Sequence, residues 1–112
     1  MDHRIKFLWA IVPMLAAAAL AVTTVAAARA PGATAFAAEN DAAMTRMMKG
    51  MHVKPSGDID RDFAIMMMAH HQGAIDMARA ELRHGRHERL LRLAQEIVVA
   101  QQQEITVMQT VL

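Results

Sequence analysis

The stretch Asp60–Leu82, DRDFAIMMMAHHQGAIDMARAEL, constrains the fold of this chain most. Its apolar side chains repeat with the spacing of a helix. At about 100° per residue two stripes run along that helix. One carries Met66, His70, Gly73 and Met77; the other carries Phe63, Met67, His71, Ala74 and Ala78. Each histidine of the adjacent pair therefore sits one turn after a methionine. A thioether and an imidazole one turn apart make half a site for a soft metal ion, since neither needs much charge to bind Cu(I). The two imidazoles leave the helix about 100° apart, so they are poorly placed to share one mononuclear site. Either one ligates while the other supports it, or two sites lie on neighbouring stripes. Gly73 costs a helix about 1 kcal/mol relative to alanine, which points to close approach of a neighbour or to room beside His70 for a ligand.

Two more helical segments flank this one. The spacing predicts a first helix from about Asp41, a fair N-cap, to His52. Met44, Met47, Met48 and Met51 fall at i, i+3, i+4 and i+7 along it, and His52 stands beside that stripe. The plain reading is a methionine-filled core face, because methionine adapts to irregular gaps; the sharper one is a set of thioether ligands. Lys54-Pro55-Ser56-Gly57-Asp58 then forms a turn, with Asp58 or Asp60 capping the central helix. The central helix is expected over Ile59–His84, with Gly85 as its C-terminal stop. Asp76, Arg79, Glu81 and Arg83 lie off the stripes and read as a solvated face. The third helix is expected from about Glu88 to Val111. Its apolar arc, with Leu90, Leu93, Ala94, Ile97 and Met108, also holds Gln101 and Glu104. A buried amide or carboxylate needs a partner, and the imidazole N–H groups of His70 and His71 supply one. Carboxylates commonly orient histidines that bind metals.

The amino terminus has a different character. Arg4 and Lys6 precede a run without charge from Phe7 to Ala28, and Ala35-Phe36-Ala37 offers a small-residue cleavage position before Ala38. This is the layout of a secretory signal peptide over residues 1–37; the alternative is a retained membrane anchor, since the run is just long enough to span a bilayer. No twin arginine is present, which favours a Sec-type route. Residues 38–112 then form a single small domain. They hold nine basic and ten acidic side chains, a net charge of −1, so the whole-chain balance of +1 belongs to the leader. No basic cluster interleaved with aromatic residues points to nucleic acid. Cysteine is absent, and nine of the 11 methionines and five of the six histidines lie after Ala37. An exported copper site in such a chain would have to use Met and His.

The segment Ser56–Leu82, with Gly57-Asp58, Phe63, Met67, His70-His71-Gln72-Gly73-Ala74-Ile75 and Met77-Ala78, resembles the signature of a bacterial family of exported helical proteins. That is the domain-of-unknown-function family numbered 305, which includes CopM-like periplasmic copper metallochaperones. The third helix is similar too, through Leu93-Ala94, Glu96-Ile97, Gln101, Glu104-Ile105 and Met108. Two positions depart from the family pattern: Val111 stands where a tryptophan is usual, and His87-Glu88 where Asp-Pro opens the last helix. The resemblance implies a ferritin-like antiparallel helical bundle, exported, binding copper through Met and His. By position Met67, His70 and His71 match best, with Met77 in place and the methionines of the first helix corresponding more loosely.

The expectations are therefore an all-α, short antiparallel bundle of three helices and a binding protein rather than an enzyme. The expected metal ligands are drawn from Met44, Met47, Met48, Met51, His52, Met66, Met67, His70, His71 and Met77, with Gln101 and Glu104 orienting the histidines. A copper-accepting protein and a second copy of the chain are the expected partners, the latter because three short helices leave an apolar face uncovered. The competing readings are a helical interaction module with a methionine core and a di-iron oxidase. For the oxidase, Glu81 and His84 form the one Glu-x-x-His pair, a thin carboxylate supply for such a centre.

Overall fold

A computed structural model describes residues 30–112, in which three helices and no strand are present: α1 (Ala33–Met51), α2 (Ile59–His84) and α3 (Glu88–Gln109). The uncharged run Phe7–Ala28 lies outside the described residues, and with it most of the leader segment. The fold is the antiparallel helical bundle expected.

The first helix starts at Ala33, eight residues before Asp41, and this corrects the expected start at Asp41. Six of the eleven residues from Ala33 to Ala43 are alanine, the strongest helix former. The start is a Pro31-Gly32 turn: Gly32 has φ 85°, and its carbonyl accepts from the Phe36 N–H at 2.8 Å. Asp41 is not a cap; it lies inside α1, where its carbonyl accepts from the Thr45 hydroxyl at 2.8 Å. The bond between Ala37 and Ala38 lies within this helix. Pro55 prevents α1 from continuing.

The connection to α2 is held by side chains. The Ser56 hydroxyl and backbone N–H donate to the Asp62 carboxylate at 2.7 and 2.9 Å. These bonds hold the Asp62 carboxyl below its ordinary range. Asp58 caps the helix by accepting from the Arg61 N–H at 3.0 Å. At the far end Gly85 stops α2 without entering the left-handed region expected of it: its φ is −71°, and its N–H bonds the Glu81 carbonyl. The third helix opens at His87 with no side-chain cap, and it ends at Gln109 rather than Val111.

Packing relies on small residues. Ala43, Ala64, Ala78, Ala80 and Ala94 are buried, with Ile75 and Ile105 as the large members of the core. Against α1, helix α2 presents Ala69, Gly73, Asp76 and Ala80. A Cβ on Gly50 would come within 2.7 Å of the Ala69 Cβ, and one on Gly73 within 2.8 Å of Met47. Against α3, α2 presents the row of His71, Ala74 and Ala78. On an ideal helix these two rows lie about 160° apart. Accordingly α1 and α3 sit on opposite sides of α2 and do not touch each other.

The bundle is thus an open layer with two unlike flanks. On one flank Arg46 pairs with Asp76 at 3.1 Å, and a cleft of about 470 Å3 is lined by Glu39, Asp76, Arg79 and Arg83. The other flank carries Phe63, Met66, His70 and Met77 of α2 between Met44 of α1 and Leu90 and Leu93 of α3. Met44, Phe63, Leu90 and Leu93 are all substantially exposed there.

Candidate metal centre

The close approach that Gly73 permits belongs to Met47. The space a side chain at position 73 would take is occupied by the Cβ, Cγ and Sδ atoms of Met47, at 2.8, 2.9 and 2.8 Å from the position of that Cβ. A thioether of α1 is therefore pressed onto Gly73, a member of the stripe that carries Met66, His70 and Met77, and Met47 also lines a small cleft with Arg46, Ala69, Gln72 and Asp76. His70 lies three residues before Gly73 and Met77 four after it, which puts their Cβ atoms about 5–6 Å from that position. His70 is exposed and free to turn toward a ligand.

The other methionines of α1 divide. Met51 is half-buried, whereas Met44 is 43 % and Met48 60 % exposed. The contact line of α1 runs through Ala43, Met47 and Gly50, so Met48 points away from α2 and does not join Met47. His52 is exposed at the C-cap of α1.

His71 faces the opposite seam. Its side chain is 12 % exposed, and its Nε2 lies 2.6 Å from Glu104 Oε2 on α3. Glu104 itself is largely solvent-exposed, so α3 offers the ring a carboxylate that stays partly hydrated. Two polar atoms of this seam have no hydrogen-bond partner although buried: His71 Nδ1 and Gln101 Oε1. Met67, half-buried, stands one turn before His71 on the same row. The His70 and His71 rings are 6.0 Å apart and inclined at 63°, in keeping with histidines that serve two rows.

Among the described residues no three histidine or carboxylate side chains gather where a metal ion could sit. A metal held here would depend on thioethers. The Glu81–His84 pair does not face an empty centre, because His84 Nε2 lies 2.8 Å from Glu39 Oε1. The Arg83 guanidinium also donates to Glu39, through both Nε and a terminal nitrogen. Sequence reasoning missed Glu39 because it fell before the expected start of α1, and with it the pairing of Arg83, which is exposed as expected but reaches Glu39. The signal was available: once α1 is extended back through its alanines, Glu39 and Arg46 fall on one side of it, facing Arg83 and Asp76.

This cluster makes folding sensitive to acid. The bonds from Arg83 and His84 hold the Glu39 carboxyl below its ordinary range. Its stabilising effect is complete above the unfolded-state value of about 4.3 and is lost as pH falls through the lower folded value. Wild type should melt above Glu39→Gln at neutral pH, and the two melting temperatures should converge as pH falls below the unfolded-state value of about 4.3. Parallel thermal melts across that range check this.

A family model described as a domain of unknown function, DUF305, matches residues 14–112. The chain belongs to the DUF305 family. No curated protein and no solved structure matches it. The DUF305 match spans all three helices, the histidine pair and Glu104. None of the described helices is long and apolar enough to cross a membrane.

Proposed function

We propose that this DUF305 protein is an exported copper-binding protein that captures Cu(I) through methionine and histidine and passes it to an acceptor protein. One observation carries the reading: Met47 laid across Gly73, which sets a thioether from one helix beside the His70 and Met77 row of the next. Thioether and imidazole are soft, uncharged ligands suited to Cu(I), and the chain has no cysteine to compete with them. The ligands are Met47, Met66, His70 and Met77, with Met44 and Met51 on the same flank to relay the ion. Because His70 is exposed, the ion can leave by ligand exchange without unfolding the bundle. The role is binding and transfer, with no chemical step on the ion.

The test is a competitive titration of the purified protein with a chromophoric Cu(I) chelator, beside Met47→Leu and a His70→Ala/His71→Ala double variant. Leucine nearly conserves volume, so Met47→Leu should cost under about 1.5 kcal/mol of stability. Its Cu(I) affinity should nevertheless fall at least tenfold, roughly 1.4 kcal/mol. Unchanged affinity in Met47→Leu would return that residue to packing alone.

A second reading is favoured by the exposed Phe63, Leu90 and Leu93 on the metal flank. Grouped apolar side chains of this size mark contact surfaces, and a homodimer would cover them. Sedimentation at tens of micromolar should show a dimer; a monomer there would remove it.

A further inference from the structure

We propose that the charged cleft between α1 and α2 binds a phosphoryl group, free or esterified, with Arg79 as its principal ligand. The site uses neither the histidine pair nor the methionines, and it stands apart from the Cu(I) reading.

Two ion pairs between the helices frame the cleft. Glu39 of α1 meets Arg83 of α2, and Arg46 of α1 meets Asp76 of α2. Glu39 and Arg46 are seven residues apart, and so are Asp76 and Arg83. Both pairs therefore belong to one antiparallel register, about two helical turns apart. Midway between them that register sets Arg79 of α2 against Ala42 of α1, and both line the cleft. A third pair is half built: the cation is in place, and a methyl group stands where its carboxylate would be.

The neighbouring carboxylates do not supply the missing charge. Glu39 Oε2 accepts from Arg83, and Glu39 Oε1 lies 2.8 Å from His84 Nε2. Asp76 Oδ2 accepts from Arg46 and Oδ1 from Gln72, both at 3.1 Å. All four oxygens are engaged by groups other than Arg79, which forms no ion pair among the described residues. Arg46, Arg79 and Arg83 share the cleft with Glu39 and Asp76, an excess of one positive charge. Its volume of about 470 Å3 falls within the range of small-molecule sites, about 300–1,000 Å3.

The donor set selects the ligand. A guanidinium has N–H donors on three nitrogens and keeps its charge at any working pH. Arg79 offers all of them. Arg46 spends one terminal nitrogen on Asp76, and Arg83 spends Nε and one terminal nitrogen on Glu39. Each keeps its other terminal nitrogen for a ligand. A planar carboxylate is satisfied by one guanidinium fork. A tetrahedral phosphoryl group has further oxygens to share among several arginines, and the arginine fork matches its geometry.

The test uses the protein labelled with 15N in its arginine side chains. Inorganic phosphate is titrated against sodium chloride of equal ionic strength. The Arg79 Nε–H resonance should shift and saturate with phosphate and stay in place with chloride. Co-sedimentation with phosphatidylcholine vesicles, with and without phosphatidic acid, covers the esterified source. Arg79→Gln, at an exposed position, should weaken binding about tenfold or more. Ala42→Glu places a carboxylate opposite Arg79; it should raise the melting temperature in phosphate-free buffer and abolish the response to phosphate.

An Arg79-dependent response to phosphate supports the site and assigns it a soluble ligand. Arg79-dependent binding to phosphatidic acid vesicles alone supports it and assigns a lipid headgroup. An Arg79 resonance unmoved by phosphate, with vesicle binding equal in wild type and Arg79→Gln, would overturn the proposal. So would an Ala42→Glu variant that binds phosphate as wild type does, because the third pair would then not be vacant.

Discussion

Ile75→Ala is expected to leave this protein mostly unfolded at 25 °C. Ile75 is the one large side chain with no exposure at all among the described residues. Truncating a buried isoleucine to alanine costs about 2–5 kcal/mol, through lost transfer energy and the cavity left behind. In a domain this small the core supplies little more than about 3–5 kcal/mol of net stability, so one residue can consume it. The neighbours cannot fill the hole. Most of the other buried positions, Ala43, Ala64, Ala78, Ala80 and Ala94, are alanines with no further atoms to swing inward, and α1 and α3 are held apart on opposite sides of α2. Ile75→Val, at about 0.5–1.5 kcal/mol, should remain folded with a lower urea midpoint. Far-UV circular dichroism of both variants against urea gives the result. A midpoint in Ile75→Ala close to that of wild type would mean that the stability of the bundle resides elsewhere, in whatever covers the Phe63 and Leu93 flank.

The same scarcity of large core residues explains what could be read in advance. The central helix was legible to the residue, Ile59–His84, because Pro55, Gly57 and Asp58 punctuate its start and Gly85 its end. The beginning of α1 was not legible, because alanine serves two signals at once. A run of small residues is what a signal-cleavage region looks like, and it is also the best helix-forming composition. The helix is seen through the partners of Glu39 on the next helix, and partners on another helix cannot be read from local spacing. The third helix ends two residues early, where its last turn tightens into bonds from Thr110 to Val107 and from Val111 to Met108, with Val111 exposed.

For the candidate site, Gly73 was legible, whereas the methionine stripe did not mark the contact line of α1. Glycine inside a helix implied close approach, and Met47 makes it. Yet Met44, Met47, Met48 and Met51 spread over about 100° of arc on α1, wider than the contact with α2. The seam is marked instead by Ala43, Met47 and Gly50, where small residues let the helices close. The His71–Glu104 contact was half legible. Glu104 on the apolar arc called for a partner, but which histidine it meets depends on α3 lying opposite α1. That arrangement follows from two packed rows about 160° apart and cannot be inferred from either helix alone.

Gly73→Ala brings packing and metal binding into one experiment. In an exposed helix the change would stabilise by about 1 kcal/mol. Here the sign is expected to reverse. The new Cβ would lie 2.8 Å from both the Cβ and the Sδ of Met47. A rotamer change can move the sulfur but not the Cβ, so α1 must shift outward as a body, and crowding of this kind costs about 1–3 kcal/mol. Shortening Met47 to alanine would not relieve the clash, because its Cβ is one of the colliding atoms. The same outward shift carries the thioether away from His70 and Met77, so Cu(I) affinity should fall at least tenfold, roughly 1.4 kcal/mol. Met47→Leu separates the two effects: it should lose copper and keep the seam, whereas Gly73→Ala should lose both. Urea denaturation and chelator competition on the two variants together decide the matter. If Gly73→Ala instead raised stability by about 1 kcal/mol and bound copper as wild type does, α1 would not be seated on Gly73, and a copper site built on Met47 would lose its foundation.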